Sequence, residues 1–295
     1  MRVLVTGNEG QLVRSMIEKG AGWPNIELMP VGRFEADLEV PGSVARAIEA
    51  NRPDVVVNAA AFTAVDQAED EPERAFRINA DAAGEAAATA RKVGAPFIHI
   101  STDYVFDGSA EGAYREDAPT GPLGVYGRSK LSGEDQVRAA QPDHLILRTA
   151  WVYSPFGRNF VKSIVKAAAE RDTLTVVDDQ TGSPTSAHDL AGAILHVLDE
   201  WRRGSRTGLG ETYHLAGMGE TSWCGLAQEI MRRCEALGLP SANVAPIATS
   251  EWPTRVPRPL NSVLDSAKFA RDFGIRLPDW RQSIAEVVAM LGAER

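Results

Sequence analysis

Met1-Arg2-Val3-Leu4-Val5-Thr6-Gly7-Asn8-Glu9-Gly10-Gln11-Leu12 opens the chain, and its reading decides the fold. Arg2 to Thr6 is a short apolar run rich in β-branched residues, the pattern of a strand buried in a parallel sheet. Gly7 and Gly10 follow at once, and from Gln11 to Ile17 the apolar residues recur with helical spacing. Strand, glycine turn and helix, in that order, are the context in which such glycines signal a dinucleotide site. They let the backbone approach a pyrophosphate, whose charge then sits at a helix N-terminus. A tight strand-to-helix turn with no ligand would carry the same residues. Val13 stands where the fingerprint usually has a third small residue, so the first helix is expected to sit slightly displaced from its strand, with an effect on cofactor affinity.

The next apolar run, residues 26–31, reads as the second strand and ends Val31-Gly32-Arg33, with no acid before Glu35. An NAD site places a carboxylate there for the ribose 2′-hydroxyl, whereas an Arg suits a 2′-phosphate. Arg33 therefore points to NADPH, with NADH as the second option if its guanidinium is merely solvated. Residues 55–57, 97–100 and 145–147 read as further buried strands, and 72–93 and 129–140 as helices. Such alternation predicts an α/β fold, a Rossmann-type doubly wound parallel sheet. After about residue 150 the pattern becomes irregular, with helices expected over 159–171, 186–201, 222–237 and 280–291 and strands over 174–177 and 212–215. The prolines of 252–259 exclude a helix and make it an ordered loop, and the Gly-rich 203–210 reads as a flexible connection. We assign residues 1–153 to a nucleotide-binding domain and 154–295 mainly to a smaller C-terminal α/β substrate-binding lobe, with later segments returning to the first.

At 295 residues and 44% hydrophobic content, the chain can bury a large core. No apolar run approaches the roughly 20 residues that span a bilayer. The first strand begins at the second residue, so no signal peptide is expected, and the location predicted is cytoplasmic. Cys224 and Cys234 have no neighbouring His cluster and read as buried thiols of a reducing compartment. A net charge of −9 argues against nucleic acid as a partner.

Ligands of such a sheet bind outside the carboxyl ends of the strands. Three polar clusters fall there: Asn58-Ala59-Ala60-Ala61, Ser101-Thr102-Asp103 and Arg148-Thr149-Ala150-Trp151. A little further on, Tyr126-Gly127-Arg128-Ser129-Lys130 places a phenol and an ammonium at i and i+4, on one face of a helix. A cation beside a phenol favours the phenolate and lowers its pKa from about 10. A Tyr held so can give a proton to a carbonyl oxygen near neutral pH, and the Thr102 hydroxyl is placed to bond the same oxygen. The spacing alone also occurs by chance on solvated helices.

Several runs together resemble the extended short-chain dehydrogenase/reductases and, within them, the dTDP-4-dehydrorhamnose reductases. They are Asn58-Ala59-Ala60-Ala61-Phe62-Thr63-Ala64-Val65-Asp66-Gln67-Ala68-Glu69, Ser101-Thr102-Asp103-Tyr104-Val105-Phe106-Asp107-Gly108 and Tyr126 to Lys130. Arg148 to Tyr153, Asp179-Gln180-Thr181-Gly182-Ser183-Pro184-Thr185 and Arg258-Pro259-Leu260-Asn261-Ser262-Val263-Leu264-Asp265 continue the likeness along nearly the whole chain. The resemblance implies Thr102, Tyr126 and Lys130 as a catalytic triad, with Lys130 also on the nicotinamide ribose. It implies Gly7, Gly10, Gln11 and Leu12 at the pyrophosphate, Arg33 at the 2′-phosphate, Asp37 and Leu38 beside the adenine, and Ala59, Ala60 and Ala61 against the cofactor. Thr63, Val65, Asp103 and Trp151 would face the sugar, and Arg258 the nucleotide phosphates. The activity implied is reduction by NADPH of the C4 keto group of dTDP-4-dehydro-L-rhamnose, with a nucleotide sugar as substrate and neither membrane nor nucleic acid as partner. A homodimer is the assembly suggested. Some members are described as using Mg²⁺ between subunits, but no defined ligand set is matched here, so the metal stays open.

Plainer readings stand beside these. Trp151 would serve as a core aromatic, Asp103 as a turn cap, and Arg258 has rivals in Arg255 and Arg276. His99, inside a strand, reads as a satisfied core histidine, and His188, His196 and His214 lack metal-ligand spacing. Glu69-Asp70-Glu71 reads as a solvated helix entrance. Other functions stay open as well: another nucleotide-sugar 4-ketoreductase, an epimerase or dehydratase of the superfamily, or a non-catalytic subunit resembling the methionine adenosyltransferase β subunit. The sequence leaves the hydride face and the nucleotide base unfixed.

Overall fold

The computed structural model describes residues 1–293. The chain begins β1 (Arg2–Thr6), α1 (Gln11–Gly20), β2 (Glu27–Val31), α2 (Ser43–Asn51), β3 (Val55–Asn58) and α3 (Val65–Asp70). Next come α4 (Pro72–Phe76), a π-helical turn (Arg77–Asp81) and α5 (Ala82–Val93), so the Ala-rich stretch is one helix with a wide turn inside it. β4 (Phe97–Thr102), α6 (Val125–Ala140) and β5 (His144–Thr149) follow. Beyond them lie β6 (Val152–Tyr153), α7 (Phe160–Ala168), β7 (Thr173–Val177), β8 (Thr181–Gly182), β9 (Thr185–Ser186) and α8 (Ala187–Arg202). The chain closes with β10 (Glu211–His214), β11 (Thr221–Ser222), α9 (Trp223–Ala236), β12 (Asn243–Ile247), β13 (Asn261–Ser262), α10 (Ala267–Phe273) and α11 (Trp280–Ala293).

The main sheet runs β10-β5-β4-β3-β1-β2 with every pairing parallel, the predicted doubly wound arrangement. Its inner strands β1, β3, β4 and β5 are buried almost throughout, without alternation, because helices cover both faces. Val3, Val5, Val55, Val57 and Leu145 pack with Leu12 and Met16 of α1 and with Leu190 and Ile194 of α8. Leu4, Val56, Phe97 and Ile146 face the other way, onto Ile48, Ala83, Ala86 and Val137. A separate core joins α7, α9 and α11 to the two-stranded parallel sheet β7-β12. Residues beyond 153 thus also serve the first unit: α8 packs on α1 and β10 is an edge strand of the main sheet. No helix among the described residues is long and apolar enough to cross a membrane. Cys224 and Cys234 are both buried, and no disulfide joins them.

Two expectations are corrected. The helix expected at residue 129 begins at Val125, where the backbone N–H donates to Glu69 Oε1 at 2.6 Å. Glu69 is therefore no solvated residue but the acceptor for an open helix end; its neighbour Asp70 pairs with Arg255, and Glu71 with Arg74. Elements also went unforeseen: α2, α3, α10 and β12, and the two-residue strands.

Helix α6 lies close against its surroundings because two of its residues lack a side chain. A Cβ on Gly127 would press into the Tyr104 carbonyl oxygen, and one on Gly133 into the Asn79 carbonyl oxygen. Asn79 sits in the π turn and also donates to Ser129 Oγ at 2.9 Å, so the wide turn and α6 are fitted to each other. Gly133→Ala is expected to push α6 off this contact. The loss should be at least about 2 kcal/mol, by analogy with overpacked cores, seen as a fall in Tm of several degrees. An unchanged Tm would refute the close contact.

Candidate active site

A cavity of about 960 Å³ opens at the carboxyl ends of β1–β5. Gly7, Gly10, Gln11 and Leu12 contribute the turn after β1, Arg33, Asp37 and Leu38 the segment after β2, and Ala59, Ala60, Ala61, Thr63 and Val65 the segment after β3. Thr102 and Asp103 close β4, Tyr126 and Lys130 reach in from α6, and Trp151 follows β5. One sequence candidate is missing from this wall: Arg258 does not line the cavity. Its guanidinium is 2.7 Å from Asp66 on α3, one residue beyond Val65.

The glycine turn has the geometry its sequence requires. Gly7 adopts φ +94°, and a Cβ there would lie 3.5 Å from Val13 Cγ2. Val13 is 2% exposed and packs in the core beneath the turn. Nothing lies within 4 Å of a Cβ built on Gly10, and no side chain caps α1, so the first N–H groups of the helix are left to the cavity. Gln11 bridges outward: its Oε1 accepts from Ser154 at 3.0 Å and Asn159 at 2.9 Å. After β2, Glu35 does not line the cavity, and its carboxylate takes the Gly32 N–H at 3.0 Å. Arg33 is 72% exposed and 3.7 Å from Glu39.

Thr102 accepts the Tyr104 N–H at 3.2 Å and donates to Asp103 Oδ1 at 3.0 Å. Asp103 is 2% exposed, and its Oδ2 is buried without a hydrogen bond. Burial pushes its pKa up to about 6, against the hydrogen bonds from Thr102 and Ser262. Lys130 is 2% exposed and donates to the Ile100 carbonyl at 2.7 Å. Burial pulls its pKa down to about 8, with the Glu134 charge opposing. Tyr126 departs from the sequence expectation. Burial raises its pKa, a hydrogen bond with Thr102 only moderates the rise, and Lys130 does not lower it. Desolvation by burial is the largest cause of the shift. Tyr104 meets Tyr126 edge to face at 5.5 Å.

Trp151 holds φ +47°, a left-handed conformation rare for a bulky residue. Its indole stacks on Trp223 at 3.5 Å and donates to Ser262 at 3.1 Å, which fixes one face of the ring toward the cavity wall. Trp223 was not foreseen, and neither were Asn8, Phe34, Phe62, Ile100, Arg158 and Leu190, which line the cavity itself. His99 is buried as expected, but it sits against Lys130, a neighbour its sequence position gives no sign of. Among the described residues no three His, Cys, Asp or Glu side chains gather as a metal site.

With this geometry in view, the comparisons with known proteins agree along the length of the chain. Residues 1–292 match the model described as the RmlD substrate binding domain. The chain belongs to the RmlD substrate-binding-domain family. A curated relative from Sinorhizobium fredii, named dTDP-4-dehydrorhamnose reductase, is 43% identical over 98% of this chain and 97% of its own. Among solved structures, a dTDP-4-dehydrorhamnose reductase from Clostridium acetobutylicum superposes with TM-score 0.91 at 37% identity, covering 99% of this chain and all of that one. Another, from Bacillus anthracis in complex with NADP, gives TM-score 0.90 at 32% identity, over 98% and 99% of the two chains. The RmlD-family cavity of this chain therefore combines a cofactor-type glycine turn with a buried Tyr, Lys and Thr.

The raised pKa of Asp103 has a consequence for stability. Folding lifts it from an ordinary 3.8 to about 6, so the folded state binds more protons than the unfolded one between those values. Stability is then lost as pH rises through that window and stays lower above it. Asp103→Asn should remove the loss, leaving the variant more stable than the parent by about 2–3 kcal/mol at pH 7.5 and little different at pH 3.5. Thermal melts at the two pH values would detect this, and an equal difference at both would contradict it.

Proposed function

We propose that this chain reduces the C4 keto group of dTDP-4-dehydro-L-rhamnose with NADPH, giving dTDP-L-rhamnose. The observation that carries the reading is the meeting of Thr102, Tyr126 and Lys130 in one cavity with the β1 glycine turn, in a chain 43% identical to a curated dTDP-4-dehydrorhamnose reductase. The residues fit the cofactor. The uncapped first turn of α1 and the open face of Gly10 suit a pyrophosphate, and the small side chains of Ala59, Ala60 and Ala61 leave room along the β3 end. Arg33, exposed and loosely held, suits a 2′-phosphate, while Glu35 is occupied by the backbone. Asp37 and Leu38 border the adenine end.

When bound, NADPH supplies the hydride that goes to the sugar carbon. The protein orients the carbonyl and manages the proton. Tyr126 gives its phenolic proton to the carbonyl oxygen, and Thr102 holds the same oxygen by a hydrogen bond. Lys130 positions the nicotinamide ribose and, when charged, steadies the phenolate that the transfer leaves behind. Thr63, Val65, Asp103 and Trp151 form the sugar wall, and the ring of Trp151 is kept in place by Trp223 and Ser262. Arg258 serves the nucleotide phosphates only by leaving Asp66, because its guanidinium is paired there and off the cavity wall.

Two outcomes test the reading. With dTDP-4-dehydro-L-rhamnose made in place by the upstream enzymes, Tyr126→Phe should lower kcat by roughly 10² to 10⁴-fold, the usual worth of a positioned acid. A loss below about threefold contradicts that role. NMR of the product distinguishes dTDP-L-rhamnose from the sugar epimeric at C4, and NADPH binding without turnover would favour another keto-sugar or a regulatory subunit. Separately, Arg33→Ala should raise KM for NADPH about tenfold or more, the worth of a charge-assisted hydrogen bond, with KM for NADH almost unmoved. Equal effects on the two cofactors would remove Arg33 from the 2′-phosphate.

A further inference from the structure

Behind the cavity wall runs a chain of hydrogen bonds whose direction follows link by link, and it ends on the Lys130 amine. The Thr6 hydroxyl oxygen accepts the Ala59 and Ala60 backbone N–H groups, both at 3.0 Å. Its two lone pairs are then taken, so the hydroxyl hydrogen is donated to Asn58 Oδ1 at 2.8 Å. This turns the Asn58 carbonyl toward Thr6 and its NH₂ toward His99 Nδ1, 3.1 Å away. An NH₂ group donates, so Nδ1 must accept. His99 is 1% exposed, and burial, the largest cause, holds its pKa well below the usual value. The ring is therefore neutral and carries its proton on Nε2, which faces Lys130 Nζ at 3.4 Å.

An ammonium at that place would set one donor against another. A neutral amine removes the conflict: its lone pair accepts the Nε2 proton while its own N–H donates to the Ile100 carbonyl at 2.7 Å. We infer that the Thr6–Asn58–His99 chain presents an N–H to Lys130 and so favours its neutral amine in the cofactor-free protein. His99 and Asn58 are then positioning residues, acting on the cavity through Lys130.

The other groups around Lys130 do not reverse this. On its own helix Glu134 favours the ammonium, but that carboxylate is shared with Arg148 and Arg138. Tyr126, also on α6, is buried and neutral. From the end of β4, Asp103 opens onto the same cavity and bonds Thr102 rather than Lys130. Burial acts in the same direction as the chain, pulling Lys130 down to about 8.

The test needs no substrate, so its outcome is independent of the reaction proposed above. Full-length protein without cofactor, labelled with ¹⁵N-histidine and ¹³C-lysine, is followed by NMR as pH is raised, with His99→Phe assigning both signals. The native protein should show His99 protonated on Nε2 and Lys130 titrating near 8, well under the ordinary lysine value of about 10.4. His99→Phe removes the donor without adding charge and should raise the Lys130 midpoint by roughly half to one pH unit. His99→Gln, which can accept from Asn58 and donate to Lys130, should hold the native midpoint. A proton on Nδ1 in the native protein overturns the inference, as does a midpoint that stays or falls in His99→Phe, or one in His99→Gln as high as in His99→Phe. The tautomer needs no variant, so the inference remains refutable even if His99→Phe does not fold.

Discussion

Glu134 lies on the face of α6 turned to the sheet, with none of its side chain exposed, and three other groups are organised around its charge. Its Oε1 accepts from Ser101 on β4 at 2.6 Å and from Arg148 Nε on β5 at 2.9 Å. Its Oε2 takes Arg148 Nη2 and Arg138 Nη2, each at 2.7 Å. Burial alone would favour the protonated acid, but the two guanidiniums and the hydroxyl win and the pKa is lowered. A buried charge so fully met is expensive to break from one side, about 3–5 kcal/mol when a single partner is lost. Its value lies in place rather than in net stability. Ser101 precedes Thr102, and Glu134 follows Lys130 by about one helical turn, so one carboxylate sets the register between the hydroxyl on β4 and the phenol and amine on α6.

The rest of α6 obeys the same demand for closeness. Glu69 takes its first N–H, Gly127 lies under the Tyr104 carbonyl, and Gly133 meets the π turn at Asn79. Glycine inside a helix costs roughly 1 kcal/mol relative to Ala, so by propensity this segment is a poor helix start. Tertiary contact reverses that preference. The helix starts four residues before the expected 129, at Val125.

What was legible and what was not divides along the same physical line. β1, β3, β4 and β5 are buried on both faces, so their apolar runs are continuous and their places could be read directly. β12 contains Pro246 and alternates in burial against a single partner, β7, which leaves a faint pattern. In the cavity, the residues at strand ends were found because topology alone places them there. The pairing of Arg258 with Asp66, off the cavity wall, joins positions far apart in sequence and could not be read, and Trp223 was missed because nothing local marks a stacking partner for Trp151. The sign of the Tyr126 shift was misjudged for a related reason. Spacing gives the distance between a phenol and an ammonium, whereas the dielectric around them comes from the whole fold.

That last point bears on how the cavity can work. Tyr126, Lys130 and Asp103 are all at least nine-tenths hidden, and burial pushes each toward its neutral form. Three groups biased against charge by burial need a partner's charge or hydrogen bonds before they can stabilise an anion. The site becomes suited once a charged ligand and its hydrogen bonds enter, because every electrostatic contact is then stronger than in water. Distant segments meet at the cavity: Gln11 of the glycine turn is held by Ser154 and Asn159, and Trp151 stacks on Trp223 and donates to Ser262. The turn and the indole line one cavity, so a ligand spanning it would touch both.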